Sequence, residues 1–282
     1  MSKILDGKIV SAAIKDAVSK EVETLKNNGI GVGLAVILVG DNPASKIYVA
    51  NKKKACEAVG IKSFQYLLDE STTQDELIEL IHSLNSKKDV NGILCQLPLP
   101  HHIDEQAVIA AISPDKDVDA FNNLNVGKIL IGNYDFLPCT PAGIIEILDY
   151  YGIEIEGKNC VVIGRSNIVG KPMAVLLMHR NGTVTICHSK TRNLADVTKN
   201  ADILVSAVGK AGFLTEDMVK EGAVVIDVGM NREGGKLCGD VCFDEVSKIA
   251  GYITPVPGGV GPMTISMLLK NTLTAAKRQN GR

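Results

Sequence analysis

Tyr48 and Lys52 stand four residues apart in Ser45-Lys46-Ile47-Tyr48-Val49-Ala50-Asn51-Lys52-Lys53-Lys54. On a helix, that spacing puts an aromatic plate and an amine on one face. Such a pair can stack on a flat ligand while the amine moves a proton or answers a charge. A simpler reading of Lys52 to Lys54 is a wet helix surface, and on these residues alone it is the stronger one. Gln96 closes an apolar run in Cys95-Gln96-Leu97-Pro98-Leu99-Pro100, at the kind of carboxyl strand end where α/β proteins build ligand sites. Pro114-Asp115-Lys116-Asp117-Val118-Asp119 gathers acids in a loop. In Pro255-Val256-Pro257-Gly258-Gly259-Val260-Gly261-Pro262, three glycines held between prolines suggest a backbone surface shaped for close approach.

A second constellation surrounds Gly164-Arg165-Ser166-Asn167-Ile168-Val169-Gly170-Lys171-Pro172. It follows the apolar run Cys160 to Ile163 and precedes a helical pattern from Met173 to His179. A glycine-rich turn from strand to helix can hold phosphate oxygens on its N–H groups. The pattern departs from G-x-G-x-x-G, because Ser166 replaces the second glycine and the third comes one residue late. It also fails the P-loop pattern, since Pro172 stands where a Mg²⁺-binding hydroxyl is needed. Taken alone, a plain structural turn is as good a reading. The downstream context changes the balance. Arg165 to Ala195 contains five Lys or Arg and no Asp or Glu. An NAD site normally places an acid ~20 residues on, for the ribose 2′-hydroxyl. Here Ser189 and Lys190 occupy that position, with Arg165 in the turn. Such groups suit a 2′-phosphate, so the sequence favours NADP over NAD.

The elements that must position these residues follow an α/β pattern with parallel strands. Strands are expected at 33–39, 61–68, 90–95, 160–163, 184–187, 203–206 and 224–227. Asn42 and Pro43 supply an N-cap and a first helical residue for a helix to about Val59. Thr73-Gln74-Asp75-Glu76 is a capping box. Helices are also expected from about 104 to 112, from 141 to 151, and from Pro262 to Arg282. The polar, Asn- and Gly-rich stretch 115–138 reads as a crossing between domains. At 282 residues the chain has room for two domains, and 30 Lys+Arg against 32 Asp+Glu argues against gripping a nucleic acid backbone. No membrane span or secretory leader is expected. Seven scattered cysteines without C-x-x-C suggest reduced thiols in the cytoplasm. The five histidines show no metal-binding spacing, and no metal site is expected.

Taken in order, these segments resemble the bifunctional methylenetetrahydrofolate dehydrogenase/cyclohydrolase family over nearly the whole chain. The matching stretches are Tyr48-Val49-x-x-Lys52, Gln96 to Pro100, Lys116 to Asp119, Pro138-Cys139-Thr140-Pro141, Gly164 to Pro172, His188 to Thr191, and Pro255 to Thr264. The resemblance implies a substrate domain with a parallel sheet (1–138 plus a returning C-terminal helix, 262–282). It further implies a Rossmann-like NADP domain (139–261), a cleft between the two, and a homodimer. By matching position, Lys52 would be the catalytic lysine, Gln96 its partner, Asp119 the pterin anchor and Tyr48 a stacking platform. Pro257, Gly258, Gly259, Val260 and Gly261 would line the substrate pocket. Gly164, Arg165, Ser166, Ser189 and Met230 would hold NADP. The cyclohydrolase step favours a lysine of depressed pKa, and Gln96 can orient the amine without adding negative charge. One departure stands out: Ala120 follows Asp119 where the family commonly has glycine, which leaves the local backbone path open.

Two other readings compete. One is a different two-domain NADP dehydrogenase, which would want an acid/base pair in the cleft and have no need of the Pro257–Gly261 segment. The other is a catalytically silent NADP sensor, which loss of Lys52 or Asp119 would have favoured.

Overall fold

The computed structural model describes residues 2–281. In chain order the elements are β1 (Lys3–Ile4), α1 (Gly7–Asn27), β2 (Gly33–Val39), α2 (Pro43–Ala58), β3 (Lys62–Leu68), α3 (Gln74–Ser86) and β4 (Gly92–Cys95). Then come α4 (Glu105–Ala111), α5 (Asn123–Leu130), α6 (Cys139–Tyr150), β5 (Asn159–Ile163), α7 (Gly170–His179), β6 (Thr183–Cys187), α8 (Leu194–Thr198) and β7 (Ile203–Ser206). The chain ends with β8 (Val224–Asp227), a hairpin of β9 (Asn231–Glu233) and β10 (Lys236–Cys238), α9 (Phe243–Ile249), β11 (Tyr252–Ile253) and α10 (Val260–Gln279). No helix among the described residues is long and apolar enough to cross a membrane.

Contacts divide the chain into two compact units. One comprises Ala13–Leu137 with the chain from Ile265 onward. Its sheet has three parallel strands in the order β3-β2-β4. Every residue of β2 is buried, as expected of a central parallel strand covered on both faces. The core behind it gathers Ile37, Leu77, Ile81, Ile93 and Val108 from strands and helices. The local signals read from sequence act as expected. Asn42 caps α2 by accepting from the N–H groups of Ala44 and Ser45, and Thr73 with Glu76 forms the capping box of α3. The stretch 115–138 is not a bare crossing, because it contains α5. Asn122 caps that helix by accepting from Leu124 N–H.

The other unit comprises the chain up to Ala12 with Pro138–Thr264. Its main sheet has six strands in the order β1-β11-β8-β7-β5-β6, all parallel. From β5 the chain steps to β6 on one side and crosses to β7 on the other. The carboxyl end of β5 is therefore the switch point at which open α/β sheets take ligands. This division differs from the expected one at the amino terminus. Residues up to Ala12 lie with the larger sheet because β1 pairs with β11 (Lys3 with Tyr252, Ile4 with Ile253). α7 starts at Gly170, earlier than its apolar residues suggest, so Lys171 and Pro172 fall in its first turn, where no intrahelical N–H bond is needed. α10 starts at Val260, two residues before Pro262.

From Ile265 on, α10 is tied into the smaller-sheet unit. The amide Nδ2 of buried Asn271 donates to Val118 O and Leu137 O, both at 2.8 Å, and Gln279 Nε2 donates to Asn91 O and Asp115 O. Asn271→Ala removes this donor from both carbonyls and should lower stability by about 1–3 kcal/mol, read from urea unfolding. An unchanged midpoint would show that the tie carries no weight.

Candidate active site

The buried residues of α2 are Ser45, Val49, Lys52 and Cys56, which lie on one stripe of the helix. Lys52 belongs to that stripe and is only 9% exposed, whereas Lys53 and Lys54 face solvent. The wet-surface reading therefore holds for the two later lysines and not for Lys52. Lys52 Nζ donates to Gln96 Oε1 at 2.8 Å. Gln96 is aimed by its neighbours: its N–H extends the β4–β2 pairing to Ile37 O, and its Nε2 donates to Leu97 O at 2.7 Å. The second bond fixes the amide so that its oxygen faces the amine. Tyr48 lies one turn before Lys52 and is 37% exposed.

Asp119 reaches the same end of the sheet. Residues 116–117 run alongside β4, with Ile93 N–H bonded to Lys116 O at 2.7 Å and a parallel bridge from Ile93 to Asp117. Asp119 carries on past Cys95 and is half-buried. Burial pushes the Cys95 thiol up to about 12, and the nearby charges of Asp119 and Glu105 push the same way. Asp117, by contrast, is a structural acid. It accepts from Asn122 N–H and Asn125 Nδ2. Burial raises its pKa against the opposing bonds from Asn125, Asn122, Phe121 and Ala120. Lys116 closes α3 by donating to Leu84 O and Lys87 O, and burial lowers its pKa. Between these anchors Ala120 is fully buried and held at φ +59°. The chain thus follows a path that suits glycine, even though the residue is alanine.

The glycine-rich turn occupies the carboxyl end of β5 in the other unit. Gly164 has φ +130°, and a Cβ there would lie 2.5 Å from Ala207 O. A Cβ on Gly170 would lie 2.3 Å from Gly164 O. Both glycines are therefore demanded by the turn itself. Ser166 Oγ accepts from the N–H groups of Val169 and Gly170, and its own proton remains available for an anion. Gly164 N–H donates to Cys187 O, so Arg165 and Ser189 leave the sheet from adjacent strand ends, both exposed. This cradle fits a dinucleotide carrying an extra phosphate. Met230 is 48% exposed beyond β8, and a Cβ on Gly261 would come 4.0 Å from its sulfur. The segment 257–261 is thus beside Met230. Gly258 and Gly259 are buried, and Gly259 O lies 1.8 Å from where a Cβ on Gly7 would stand, so part of this glycine pattern serves packing against α1.

Beneath the same edge lie two acids that the sequence reading passed over, Asp227 at the end of β8 and Asp240. Their signal was present in Asp227-Val228-Gly229 and Gly239-Asp240-Val241, one acid two residues before a glycine and the other directly after one. Burial pushes Asp227 up to about 6, against hydrogen bonds from the N–H groups of Asp240, Val241 and Gly229.

A sequence model of the tetrahydrofolate dehydrogenase/cyclohydrolase catalytic domain matches residues 5–119, and one of the NAD(P)-binding domain of the same family matches residues 138–280. The chain belongs to this family. It is 63% identical over 279 residues to the bifunctional protein FolD of Acetivibrio thermocellus, covering 99% of this chain and 98% of that one. A crystal structure of the bifunctional FolD enzyme from Campylobacter jejuni superposes with a TM-score of 0.97 at 53% identity, covering 99% of each chain. The Trypanosoma brucei enzyme, solved with NADP cofactor and inhibitor, superposes with a TM-score of 0.95 at 42% identity over 100% of this chain and 99% of its own.

Two outcomes follow from this geometry. Ala120→Gly should change stability by less than about 1 kcal/mol, since relief of the left-handed backbone offsets lost chain entropy and a buried methyl. Ala120→Val should cost more than about 2 kcal/mol, because a β-branched residue fits that φ poorly; equal tolerance of both in thermal unfolding would contradict the assigned path. The Asp227 carboxyl should titrate near pH 6 by carbon-13 NMR rather than at its ordinary 3.8. Its protonation then contributes stability that is complete below 3.8 and lost as pH rises through about 6.

Proposed function

We propose that Lys52, Gln96, Asp119 and Tyr48 carry the folate chemistry of this chain, and that Gly164, Arg165, Ser166, Ser189 and Met230 hold its NADP. The activity is that of the family's bifunctional members: oxidation of 5,10-methylenetetrahydrofolate to the 5,10-methenyl cation, then hydrolysis to 10-formyltetrahydrofolate. NADP, when bound, takes up the hydride released from the methylene bridge. The observation that carries the assignment is a buried lysine amine held at 2.8 Å by the oxygen of a neutral, fixed amide.

In the hydrolytic step, one water adds to the methenyl carbon, one C–N bond opens, and one proton is released. A neutral Lys52 amine can take that proton, whereas an ammonium would repel the cation and accept nothing. Gln96 aims the amine while leaving the local charge unchanged. The Asp119 carboxylate, an acceptor only, suits the N–H donors of a pterin edge. Tyr48 offers its exposed ring to the aminobenzoyl group, and Pro257, Gly258, Gly259, Val260 and Gly261 form a wall for the substrate. At the turn, Ser166 and the helix start receive phosphate, and Arg165 with Ser189 receive the 2′-phosphate.

The reading extends to a homodimer working in the cytoplasm and supplying formyl groups for purine biosynthesis. The family resemblance supports these parts, and the free cysteines, five of which are buried, suit a reducing compartment. A monofunctional member is the alternative within the family, and the pairing of buried Lys52 with half-buried Gln96 favours both activities. Lys52→Gln should abolish the hydrolysis of methenyltetrahydrofolate, followed by loss of its absorbance, while the circular dichroism spectrum stays that of the folded protein. Hydrolysis at the parent rate in that variant would refute the role of Lys52. Supplying 5,10-methylenetetrahydrofolate with NADP or NAD and following the reduced cofactor tests the dehydrogenase and its cofactor preference together.

A further inference from the structure

Asp240 is fully buried, and its carboxylate is the meeting point of two loops at the carboxyl edge of the larger sheet. Its Oδ2 accepts from Ser206 Oγ at 3.3 Å and from the N–H groups of Val208 at 2.8 Å and Gly209 at 3.2 Å. Its Oδ1 accepts from Lys210 N–H at 2.9 Å and Asn231 Nδ2 at 3.0 Å. Asp227 is locked to it from below. Asp227 accepts from Gly229 N–H and Asp240 N–H, both at 2.9 Å, and from Val241 N–H at 3.0 Å. The fit leaves no room for side chains. A Cβ on Gly229 would stand 2.2 Å from Asp240 Oδ1, and one on Gly239 would stand 1.8 Å from Asp227 Oδ2.

Three successive N–H groups converging on one anion form the kind of backbone concavity that binds phosphate in other proteins. Here the anion is supplied by the chain itself. The N–H groups of residues 208–210 are committed inward, and the phosphate-holding role falls to the turn 164–170. The same carboxylate reaches Asn231, next to Met230, and so sets the loop after β8 against the loop after β7.

We propose that Asp240, seated on Asp227, is a positioning residue for the dinucleotide: it fixes the loops 206–210 and 227–231 and thereby sets NADP affinity, while the Lys52–Gln96 hydrolytic site does not depend on it. This rests on the placement of NADP proposed above. Nothing in the role requires Asp240 to touch the cofactor.

The test is Asp240→Asn, which keeps the shape but turns an N–H₂ group toward N–H donors. NADP binding is read by the cofactor-induced rise in melting temperature, and hydrolysis of methenyltetrahydrofolate is assayed without cofactor. NADP affinity should fall about tenfold or more, as for lost bonds to a charged acceptor, with cofactor-free hydrolysis held within about twofold. Unchanged NADP affinity, or hydrolysis falling by the same factor as dehydrogenation, would overturn the proposal. If Asp240→Asn does not fold, Asn231→Ala removes one bond to Oδ1 and should weaken NADP by about threefold with hydrolysis retained; no weakening counts against the proposal. Arg165→Ala separates the two layers of the reading. If it weakens NADP and the Asp240 variant does not, only the positioning role fails. If Arg165→Ala leaves NADP binding untouched, the cofactor placement itself is wrong.

Discussion

A primary amine withdrawn from water usually meets a carboxylate, because burying its charge without one is costly. At Lys52 the group waiting at the strand end is an amide oxygen, and the far side of that amide is already bonded to Leu97 O. Much of the smaller-sheet unit serves this meeting. The buried β2 and the cap at Asn42 set where α2 begins, and hence which of its lysines turns inward. The end of β4, bonded on to Ile37, sets where Gln96 stands. Under the proposed role of Lys52, a carboxylate in place of that amide would favour the ammonium and work against proton uptake. The neutral amide of Gln96 is then as much a part of the proposed site as its distance from Lys52.

The nucleotide-binding unit arranges its charges in a complementary way. Arg165, Ser189 and Lys190 are exposed around the turn, in a stretch free of acids. Two acids of the same unit, Asp227 and Asp240, are buried and accept from surrounding N–H groups. Negative charge thus does structural work below the surface while the rim stays suited to phosphate. A chain that is almost neutral overall can in this way carry a local preference for an anion.

The regular elements were legible because their signals are local. The apolar run of β2, the Asn42-Pro43 start and the Thr73–Glu76 box each specify an element without reference to distant residues. α5 was harder to see, since Asn122 caps it while its neighbour Asp117 draws bonds from Asn122 and Asn125, a network made only when residues 109–125 fold back together. α1 carries Val10, Ile14, Val18, Val22 and Leu25 on its inner side, mostly β-branched residues that blur a helical signal. Of the candidate site, residue identities and order were legible, whereas the burial of Lys52 was hidden by Lys53 and Lys54 beside it. The backbone at Ala120 could not be read at all, because alanine gives no sign of a left-handed φ. Asp240 showed in the sequence only as an acid beside a glycine: its importance lies in what five donors from separated segments do around it.

The ties of α10 bear on how the protein is made. The smaller-sheet unit is interrupted in sequence, since its chain up to Leu137 is completed only by residues from Ile265 onward, among them the buried Met267, Leu268, Leu269 and Leu273. During synthesis, its first segment must wait through the whole of 138–264 with that part of its core uncovered. At ~5–20 residues per second this is a delay of several seconds or more, a window in which apolar surface is open to other chains. The smaller-sheet unit becomes whole only once α10 has been made, so that helix completes a fold begun more than a hundred residues earlier.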